Sequence, residues 1–206
     1  VDLLRRIREG EQLEAPASLV VIGGGNVAMD IARSMARLQQ QQYGRIAITL
    51  TALEDKAHFL ADPVEIKEAI EEEIEIIDSR GPQECMVDDQ DRLLGLRTWK
   101  VLSIFDDQGR FAPTYDDSDE RLHEGEWVVE AIGQMSDVSL LGEELTEALE
   151  WNRGRLQVDD AGRTSEPWLW AAGDCVQGPD VVSAVATGHK VAASIEAMFA
   201  QQETQA

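Results

Sequence analysis

The sequence predicts an α/β protein built on a parallel sheet, with an antiparallel meander inserted before the last strand of that sheet. An apolar run at residues 19–22 is followed by glycines and then by apolar residues at helical spacing. A second strand and helix follow at residues 46–51 and 64–73, with a third strand at 74–78. Short alternating segments divided by acidic or glycine turns precede the return strand in EWVVEAIG. This order predicts a dinucleotide-binding domain with an antiparallel crossover.

The stretch SLVVIGGGNVAMDIARSM carries the clearest functional motif. Its GxGxxA pattern lies between the first strand and the first helix, which is the setting of a phosphate-binding turn. Glycines let a phosphate approach the backbone closely, and the helix N-terminus offers free N–H groups and the positive end of its dipole. The alternative is a tight turn that binds nothing. The candidate cofactor-binding residues here are Gly23, Gly24, Gly25, Asn26 and Val27.

The second strand ends in TALEDKAHFLADPVEI, where cofactor contacts are expected because ligands bind at the carboxyl edge of parallel strands. Pro63 is expected to begin the helix that follows. After the return strand, LGEELTEALEW predicts a short helix, and GRLQVDDAGRTSEPWLWAAGDCV predicts a hairpin and then an apolar strand ending at Gly173 and Asp174. A final helix is predicted with an apolar face of Val181, Val182, Val185, Val191, Ala192, Ile195 and Met198.

The composition argues against several classes of function. The chain has 206 residues and a formal net charge of −22, which opposes binding to nucleic acid or an anionic membrane. Acidic runs such as DDQD and DDSDE are interpreted as solvated hairpin loops, and no apolar stretch reaches the ~20 residues that span a bilayer. Cys85 and Cys175 form no CxxC pair and no signal peptide precedes the first domain, so a cytoplasmic location is expected. The histidines lack metal-ligand spacing, and no metal site is predicted.

Two motifs carry a resemblance to a known family. GGGNVAMD at residues 23–30 and AAGDCVQGPDVVSA at residues 171–184 together resemble the glutamate synthase small-subunit family of FAD-dependent NAD(P)H oxidoreductases. VVEAIGQMSD resembles that family's AxGQxPD stretch, with Ser136 in the place of proline, and this makes Gly133 a further candidate cofactor-binding residue. The resemblance extends over nearly the whole chain, as far as Phe199.

The resemblance implies a division of the chain and a mechanism. Residues 1–16 are expected to be a linker and helix, residues 17–133 a Rossmann-like NAD(P)-binding domain with a β-meander crossover, and residues 134–206 the carboxyl-terminal part of a discontinuous FAD-binding domain. A reduced nicotinamide would give hydride to flavin N5, and electrons would then leave singly through iron–sulfur clusters or to a partner subunit. Because the flavin performs this chemistry, no catalytic side chain is nominated.

The resemblance also implies roles in flavin binding. Asp174 would accept a hydrogen bond from the ribityl chain, and Gly173 would allow close approach. Val181 and Val182 would present backbone N–H groups at a helix start to the flavin N1/O2 edge, where negative charge develops on reduction. The alternative for Asp174 is an ordinary turn carboxylate.

The chain departs from the family pattern in what it contains. The family's FAD domain has an upstream stretch with its own GxGxxG, and many members carry a cysteine-rich iron–sulfur region before it. This chain has one glycine turn and no such cysteines. We therefore expect it to be a carboxyl-terminal fragment of a longer flavoenzyme, with the missing FAD and iron–sulfur domains upstream in the same polypeptide and a possible partner subunit.

A second departure concerns the choice of nicotinamide cofactor. NADPH-using members carry an arginine pair after the second strand, and this chain has Leu53 and Glu54 at that place. An acidic side chain there accepts hydrogen bonds from a ribose 2′-hydroxyl and repels a 2′-phosphate. Glu54 therefore predicts a preference for NAD(H) over NADP(H), although a solvated loop carboxylate is the alternative, and Lys56 lies close enough to compensate in part.

Two other functions compete with an FAD-dependent oxidoreductase. One is a non-catalytic nucleotide-binding or docking module of a larger assembly, for which the segment at residues 171–182 has no evident use. The other is an ordinary dehydrogenase of this fold, but the sequence offers no plausible catalytic dyad or tetrad for one.

Overall fold

The computed structural model describes residues 2–134, 136–152, 154–178 and 180–205, with side chains described as far as Gln201. The chain forms two compact units, Val1–Gly133 and Gln134–Ala206. Met135 and Pro179, which belong to two of the motifs quoted above, lie outside the described residues.

The first unit alternates strands and helices before an antiparallel insertion. In chain order its elements are α1 (Asp2–Arg8), β1 (Leu19–Ile22), α2 (Asn26–Tyr43), β2 (Ile48–Thr51), a 3-10 turn (Lys56–His58), α3 (Pro63–Glu71), β3 (Glu75–Ile77), β4 (Arg80–Val87), β5 (Leu93–Phe105), β6 (Phe111–Glu124) and β7 (Trp127–Glu130). Four strands form a parallel sheet in the order β3-β2-β1-β7, and three form an antiparallel sheet in the order β4-β5-β6. The predicted parallel sheet with an inserted meander is confirmed.

The core of the first unit is centred on β1. All four residues of this strand are buried, as expected for an apolar strand between two parallel neighbours. Helix α2 packs on the same core through Ala28, Met29, Ile31, Ala32, Met35 and Ala36. Val27, the second residue of α2, has a side chain that is 40% exposed, because the first turn of this helix starts at the carboxyl edge of the sheet.

The parallel sheet joins the meander through Arg80. Its backbone N–H donates to the carbonyl of Ala52 at 2.8 Å, just beyond β2. The side chain is 3% exposed, pairs with Asp119 at 2.8 Å and donates through Nε to Thr98 Oγ1 at 3.1 Å. Thr98 also bonds His123 Nε2 at 2.8 Å, and burial lowers the pKa of that histidine. A buried cation with these partners fixes the start of the insertion.

The second unit contains fewer regular elements. These are α4 (Gly142–Ala148), the hairpin strands β8 (Trp151–Asn152) and β9 (Arg155–Leu156), 3-10 turns at Ser139–Leu141 and Gly173–Cys175, and α5 (Val181–Gln205). The predicted short helix, hairpin and final helix are confirmed. The apolar strand predicted before Gly173 is wrong, because within the described residues that stretch makes one isolated bridge, between Arg163 and Trp170. A strand needs a continuous neighbour, which apolar composition alone does not supply.

The predicted apolar face of α5 divides into two parts. Its later part packs within the second unit, where a Cβ atom on Gly162 would lie 2.2 Å from Cγ2 of Val191. Its first part is open, since Val181, Val182 and Val185 are 78%, 79% and 53% exposed. None of the described helices is long and apolar enough to cross a membrane.

A buried amide ties the segments that lead into β1 and β2 to the core helix α2. Gln39 is fully buried. Its Nε2 donates to the carbonyl of Pro16 at 2.8 Å, and its Oε1 accepts the N–H of Ala47 at 2.8 Å. Because a buried polar backbone group costs free energy when it loses its partner, this amide has a structural role. In the same glutamine tract, Gln42 also holds the segment before β1, since it accepts the N–H of Ala15 at 2.8 Å and donates to the carbonyl of Leu13 at 2.8 Å.

Replacing Gln39 should therefore destabilise the first unit. We expect Gln39→Met, which keeps the length of the side chain but removes both hydrogen bonds, to lower the free energy of unfolding by about 2–4 kcal/mol. The measurement is urea denaturation followed by circular dichroism. Gln41→Met is the matched control, because Gln41 is exposed in the same helix; equal midpoints for the two variants would contradict the role of Gln39.

Candidate functional site

The turn after β1 requires glycine at its first position. Gly23 has φ 139°, and a Cβ atom there would lie 2.4 Å from the carbonyl oxygen of Ala131, just after β7. Its N–H donates to the carbonyl of Thr51 at 2.8 Å. Only a residue without a side chain fits at this approach, so the end of β1 is fixed between the ends of its two neighbouring strands.

The second glycine is buried between the turn and the segment after β2. A Cβ atom on Gly24 would lie 3.1 Å from Cβ of Ala52, 3.1 Å from Oε2 of Glu54 and 3.7 Å from Cδ1 of Phe59. Its carbonyl accepts the N–H of Ala61 at 2.9 Å. Gly24 therefore brings the turn into contact with the segment that was expected to carry cofactor contacts.

The third glycine opens onto free space. Gly25 is the N-cap of α2 in an extended conformation, and a Cβ atom there would have no described heavy atom within 4 Å. It provides no side-chain cap, and the first turn of α2 has no acidic residue. Within the described part of the chain, no protein acceptor is bonded to the N–H groups of Asn26 and Val27. These donors and the helix dipole suit an anion such as a pyrophosphate.

Two acidic residues follow β2, and they face different partners. Glu54 places its Oε2 beside Gly24, as the distance above shows. Asp55 instead caps the 3-10 turn by accepting the N–H of Ala57 at 2.9 Å, and its Oδ1 lies 2.9 Å from Nδ1 of His58. The hydrogen bond from His58 lowers the pKa of Asp55. Of the two carboxylates, that of Glu54 is the one next to the glycine turn.

Gly133 lies at the end of the first unit, beyond β7. It has φ 108°, and a Cβ atom there would have no described heavy atom within 4 Å. The chain reaches it from Ala131, whose N–H donates to the carbonyl of Ile22 at 2.8 Å. This open backbone position remains a predicted cofactor contact.

In the second unit, a threonine on α5 fixes the turn at Gly173. Gly173 has φ 76°, and its N–H donates to Oγ1 of Thr187 at 3.0 Å. The following Asp174 is exposed, and its Oδ1 would lie 2.6 Å from a Cβ atom on Gly178. Gly178 therefore leaves room for this carboxylate. The role of Asp174 in flavin binding remains a prediction.

The start of α5 is exposed but already capped in part. Val181 and Val182 project into solvent, as described above. Asp180 accepts the N–H of Ser183 through Oδ1 at 2.7 Å, and this backbone hydrogen bond lowers the pKa of Asp180. A flavin edge at this helix start would thus meet backbone donors beside an ionised carboxylate. The sequence motif had pointed to the donors and missed the cap.

The cysteines and the other potential metal ligands are dispersed among the described residues of the two units. Cys85 and Cys175 are both free, and the first of them is exposed. The described residues include no group of three or more His, Cys, Asp or Glu side chains that could hold a metal ion.

The fold has counterparts among solved structures. Thioredoxin reductase from T. acidophilum aligns with a TM-score of 0.69 at 23% identity, over 94% of this chain and 56% of that one. LpdA from Mycobacterium tuberculosis aligns with a TM-score of 0.58 at 19% identity, over 90% of this chain and 35% of that one. Identities this low show a shared fold alone.

The sequence comparison decides the family. The profile of pyridine nucleotide-disulphide oxidoreductases matches residues 1–189. The chain belongs to the pyridine nucleotide-disulphide oxidoreductase family. Membership implies FAD and a nicotinamide dinucleotide as cofactors. The NAD(P)-dependent flavoprotein family recognised from the two motifs is thereby confirmed.

Several curated relatives carry names that describe them as enzyme subunits. The chain is 33% identical to the beta subunit of the NADP(+)-dependent formate dehydrogenase of Moorella thermoacetica, over 90% of this chain and 26% of that protein. It is 29% identical to the PreT subunit of the NAD-dependent dihydropyrimidine dehydrogenase of Escherichia coli K12, over 95% of this chain and 40% of that protein. The chain therefore spans less than half the length of these relatives.

The residues at the glycine turn fit the dinucleotide that family membership implies. Among the described residues, the free space beside Gly25 and the unbonded N–H groups at the start of α2 form a cradle that a side chain at this position would fill. Gly23, Gly24 and Glu54 lie at the same turn, so the structure brings together most of the residues predicted for the first unit. Asp174, Val181 and Val182 lie in the second unit.

Contacts that are distant in sequence were not anticipated. The side chain of Asn26 accepts the N–H of Asp62 at 2.7 Å, although the sequence had suggested only that Asn26 binds the cofactor. Phe59 borders the turn, and Thr187 anchors Gly173. The one available signal was the Asp62-Pro63 pair, since aspartate before proline is typical of a helix start.

A branched side chain at Gly25 should block the cradle without disturbing the fold. Gly25 has φ −100° and ψ 172°, which valine adopts readily, and its Cβ direction is open. We expect Gly25→Val to weaken NADH binding about tenfold or more in calorimetric titration, with unchanged circular dichroism.

Gly188→Val is the matched control for this experiment. A Cβ atom on Gly188 also meets open space, but this residue lies in α5 of the second unit. We expect its affinity for NADH to equal that of the wild type. Equal NADH affinities for the wild type and both variants would show that the pyrophosphate does not bind at this turn.

Proposed function

We propose that this chain is part of an FAD-dependent oxidoreductase that passes reducing equivalents from NAD(P)H through flavin to an iron–sulfur or partner-subunit acceptor. The observation that carries the proposal is the glycine turn. In the part of the chain that the structure describes, the space at Gly25 is open, the N–H groups at the start of α2 have no protein acceptor, and the carboxylate of Glu54 lies beside the turn. Family membership and the names of the relatives support the redox activity.

The first unit would bind the nicotinamide dinucleotide. The N–H groups of Asn26 and Val27 would donate to the pyrophosphate, and the dipole of the 18-residue helix α2 would favour its negative charge. The close approach of Gly23 to Ala131 holds the turn in place before the ligand arrives. Because the turn is already ordered, ordering of the backbone subtracts little from the free energy of binding.

Glu54 would read the adenosine ribose of that dinucleotide. Its carboxylate is half-buried beside Gly24, while Asp55 is engaged by His58. A carboxylate at this place accepts the 2′-hydroxyl hydrogen bonds of NAD(H) and repels the 2′-phosphate of NADP(H). We therefore propose a preference for NAD(H). The names of the relatives include both NAD- and NADP-dependent enzymes.

The second unit would supply the carboxyl-terminal part of the FAD site. When bound, FAD accepts hydride and can release electrons one at a time. Asp174 would accept a hydrogen bond from the ribityl chain, and the backbone at Val181 and Val182 would face the flavin edge. The side chains of Val181 and Val182 are 78% and 79% exposed within the described unit. This exposure supports the role, because exposed apolar surface is typical of a site that a ligand or a partner covers.

The remaining parts of the enzyme would be contributed by other chain segments. The chain spans 26% and 40% of two curated relatives whose names describe them as subunits. We propose that upstream FAD and iron–sulfur domains of the same polypeptide, and a possible partner subunit, complete the electron path. The free cysteines support a cytoplasmic location for the assembly.

Replacing Glu54 should reverse the proposed cofactor preference. We expect wild type to bind NADH about tenfold more tightly than NADPH, and Glu54→Arg to reduce or invert that ratio, because arginine pairs with the 2′-phosphate. Dissociation constants for both cofactors should be measured by calorimetry at moderate ionic strength.

Glu147→Arg serves as the control for the Glu54 experiment. Glu147 is an exposed residue of α4 in the second unit, so its replacement makes the same change in net charge away from the turn. We expect its NADH to NADPH ratio to remain that of the wild type. A wild-type preference for NADPH, or a ratio that Glu54→Arg leaves unchanged, would show that Glu54 does not read the ribose.

The isolated chain should bind little flavin. The second unit offers one edge of the proposed FAD site, and the chain has one glycine turn, which the first unit uses. We expect the purified chain to be colourless, with little absorbance near ~450 nm after incubation with FAD and gel filtration. A longer polypeptide that includes the upstream region should be yellow.

A stoichiometric yellow complex of the isolated chain would contradict the proposed division of the FAD site. A longer polypeptide that binds NADH but neither retains flavin nor reduces an artificial acceptor would instead favour the alternative, a nucleotide-binding or docking module.

A further inference from the structure

A short segment before α3 is fastened to the glycine turn by two hydrogen bonds. We name residues 59–62 the strap. The N–H of Ala61 donates to the carbonyl of Gly24 at 2.9 Å, and the N–H of Asp62 donates to Oδ1 of Asn26 at 2.7 Å. The first bond joins backbone to backbone. The second depends on a side chain, so a substitution can remove it.

Both ends of the strap are anchored. Ala61 is 5% exposed and belongs to the core of the first unit, and Cδ1 of Phe59 would lie 3.7 Å from a Cβ atom on Gly24. Asp62 caps α3 by accepting the N–H of Val64 at 2.8 Å. The strap thus forms a wall on the side of the turn where Oε2 of Glu54 also lies.

Asn26 connects this wall to the cradle. It is the first residue of α2, so its backbone N–H has no partner within the helix, while its side-chain oxygen is occupied by Asp62. One residue therefore faces the proposed pyrophosphate with its backbone and holds the strap with its side chain. The motif GGGN had suggested a cofactor contact without separating these two roles.

We propose that Asn26 is a positioning residue whose side-chain oxygen holds the strap against the glycine turn, so that the cradle is ordered before the dinucleotide binds. This inference rests on the proposed binding of a nicotinamide dinucleotide at the turn. Without the acceptor, the N–H of Asp62 bonds to water, and the strap must be ordered again in each binding event. The strap contacts the turn that would bind the pyrophosphate, and both NADH and NADPH carry this group. Loss of the strap contact should therefore weaken the binding of both cofactors by the same factor.

The first test measures the strap itself and needs no bound cofactor. Amide hydrogen exchange should show protection of Asp62 in the wild-type chain. We expect the protection of the Asp62 amide to be at least tenfold lower in Asn26→Ala than in the wild type. Asn26→Asp keeps an acceptor oxygen and should retain the wild-type protection. Asn26→Ser, whose hydroxyl is too short to span the distance, should behave like Asn26→Ala and provides a second variant if alanine impairs folding.

The second test measures cofactor affinity. We expect Asn26→Ala to raise the dissociation constants of both NADH and NADPH about fivefold, so that the ratio of the two constants is unchanged. In the full flavoenzyme the same change should raise KM and leave kcat near the wild-type value. Asn152→Ala is the matched control, because Asn152 is exposed in the hairpin of the second unit.

The outcomes separate this inference from the function on which it rests. A wild-type chain that binds neither cofactor would refute the proposed function, whatever the exchange data show. A wild type that binds NADH, together with an Asn26→Ala variant of equal affinity or equal Asp62 protection, would refute the positioning role alone. An Asn26→Ala variant with a changed ratio of NADH to NADPH affinity would also refute the positioning role, because such a change is expected of a residue that contacts the ribose.

Discussion

The close approach of Gly23 to Ala131 is the constraint on which the first unit depends. A Cβ atom at this position would lie 2.4 Å from a carbonyl oxygen, so the end of β1 can lie this near the end of β7 only because residue 23 has no side chain. The N–H of Gly23 donates to the carbonyl of Thr51 at the end of β2, and the N–H of Ala131 donates to the carbonyl of Ile22 at the end of β1. The carboxyl ends of three strands are thereby locked together, and α2 starts from the point where they meet.

Much of this arrangement could be predicted from the sequence because its signals are local. The apolar run of β1, the glycines and the periodic residues of α2 lie within one short stretch, and Pro63 marks the start of α3. The contacts that complete the site are not local. Asn26 and Asp62 are 36 positions apart, and no spacing rule connects them. Their hydrogen bond follows from the parallel order of β1 and β2, which places both helix starts at the same edge.

The second unit was predicted less well, and for a physical reason. Residues 168–172 have the apolar composition of a strand, but an apolar run becomes a strand only where another strand offers its hydrogen bonds. The valines at the start of α5 likewise have helical spacing, yet spacing does not determine which element covers them. Gln39 is the converse case, because nothing in the polar composition of its glutamine tract indicates burial, and yet the fold buries this amide completely.

The acidity of the chain does not oppose an anionic ligand at the glycine turn. A net charge of −22 acts over the whole surface, but exposed charges are screened beyond about 8–10 Å at ordinary ionic strength. The local field is decided by nearer groups. The first turn of α2 has no acidic residue, and the carboxylate of Asp55 is hydrogen-bonded within its own 3-10 turn, to the N–H of Ala57 and to Nδ1 of His58. Glu54 is then the carboxylate beside Gly24, and its repulsion would be strongest toward a dinucleotide that carries a third phosphate on the ribose. Local donors can therefore attract the pyrophosphate while one carboxylate selects the ribose.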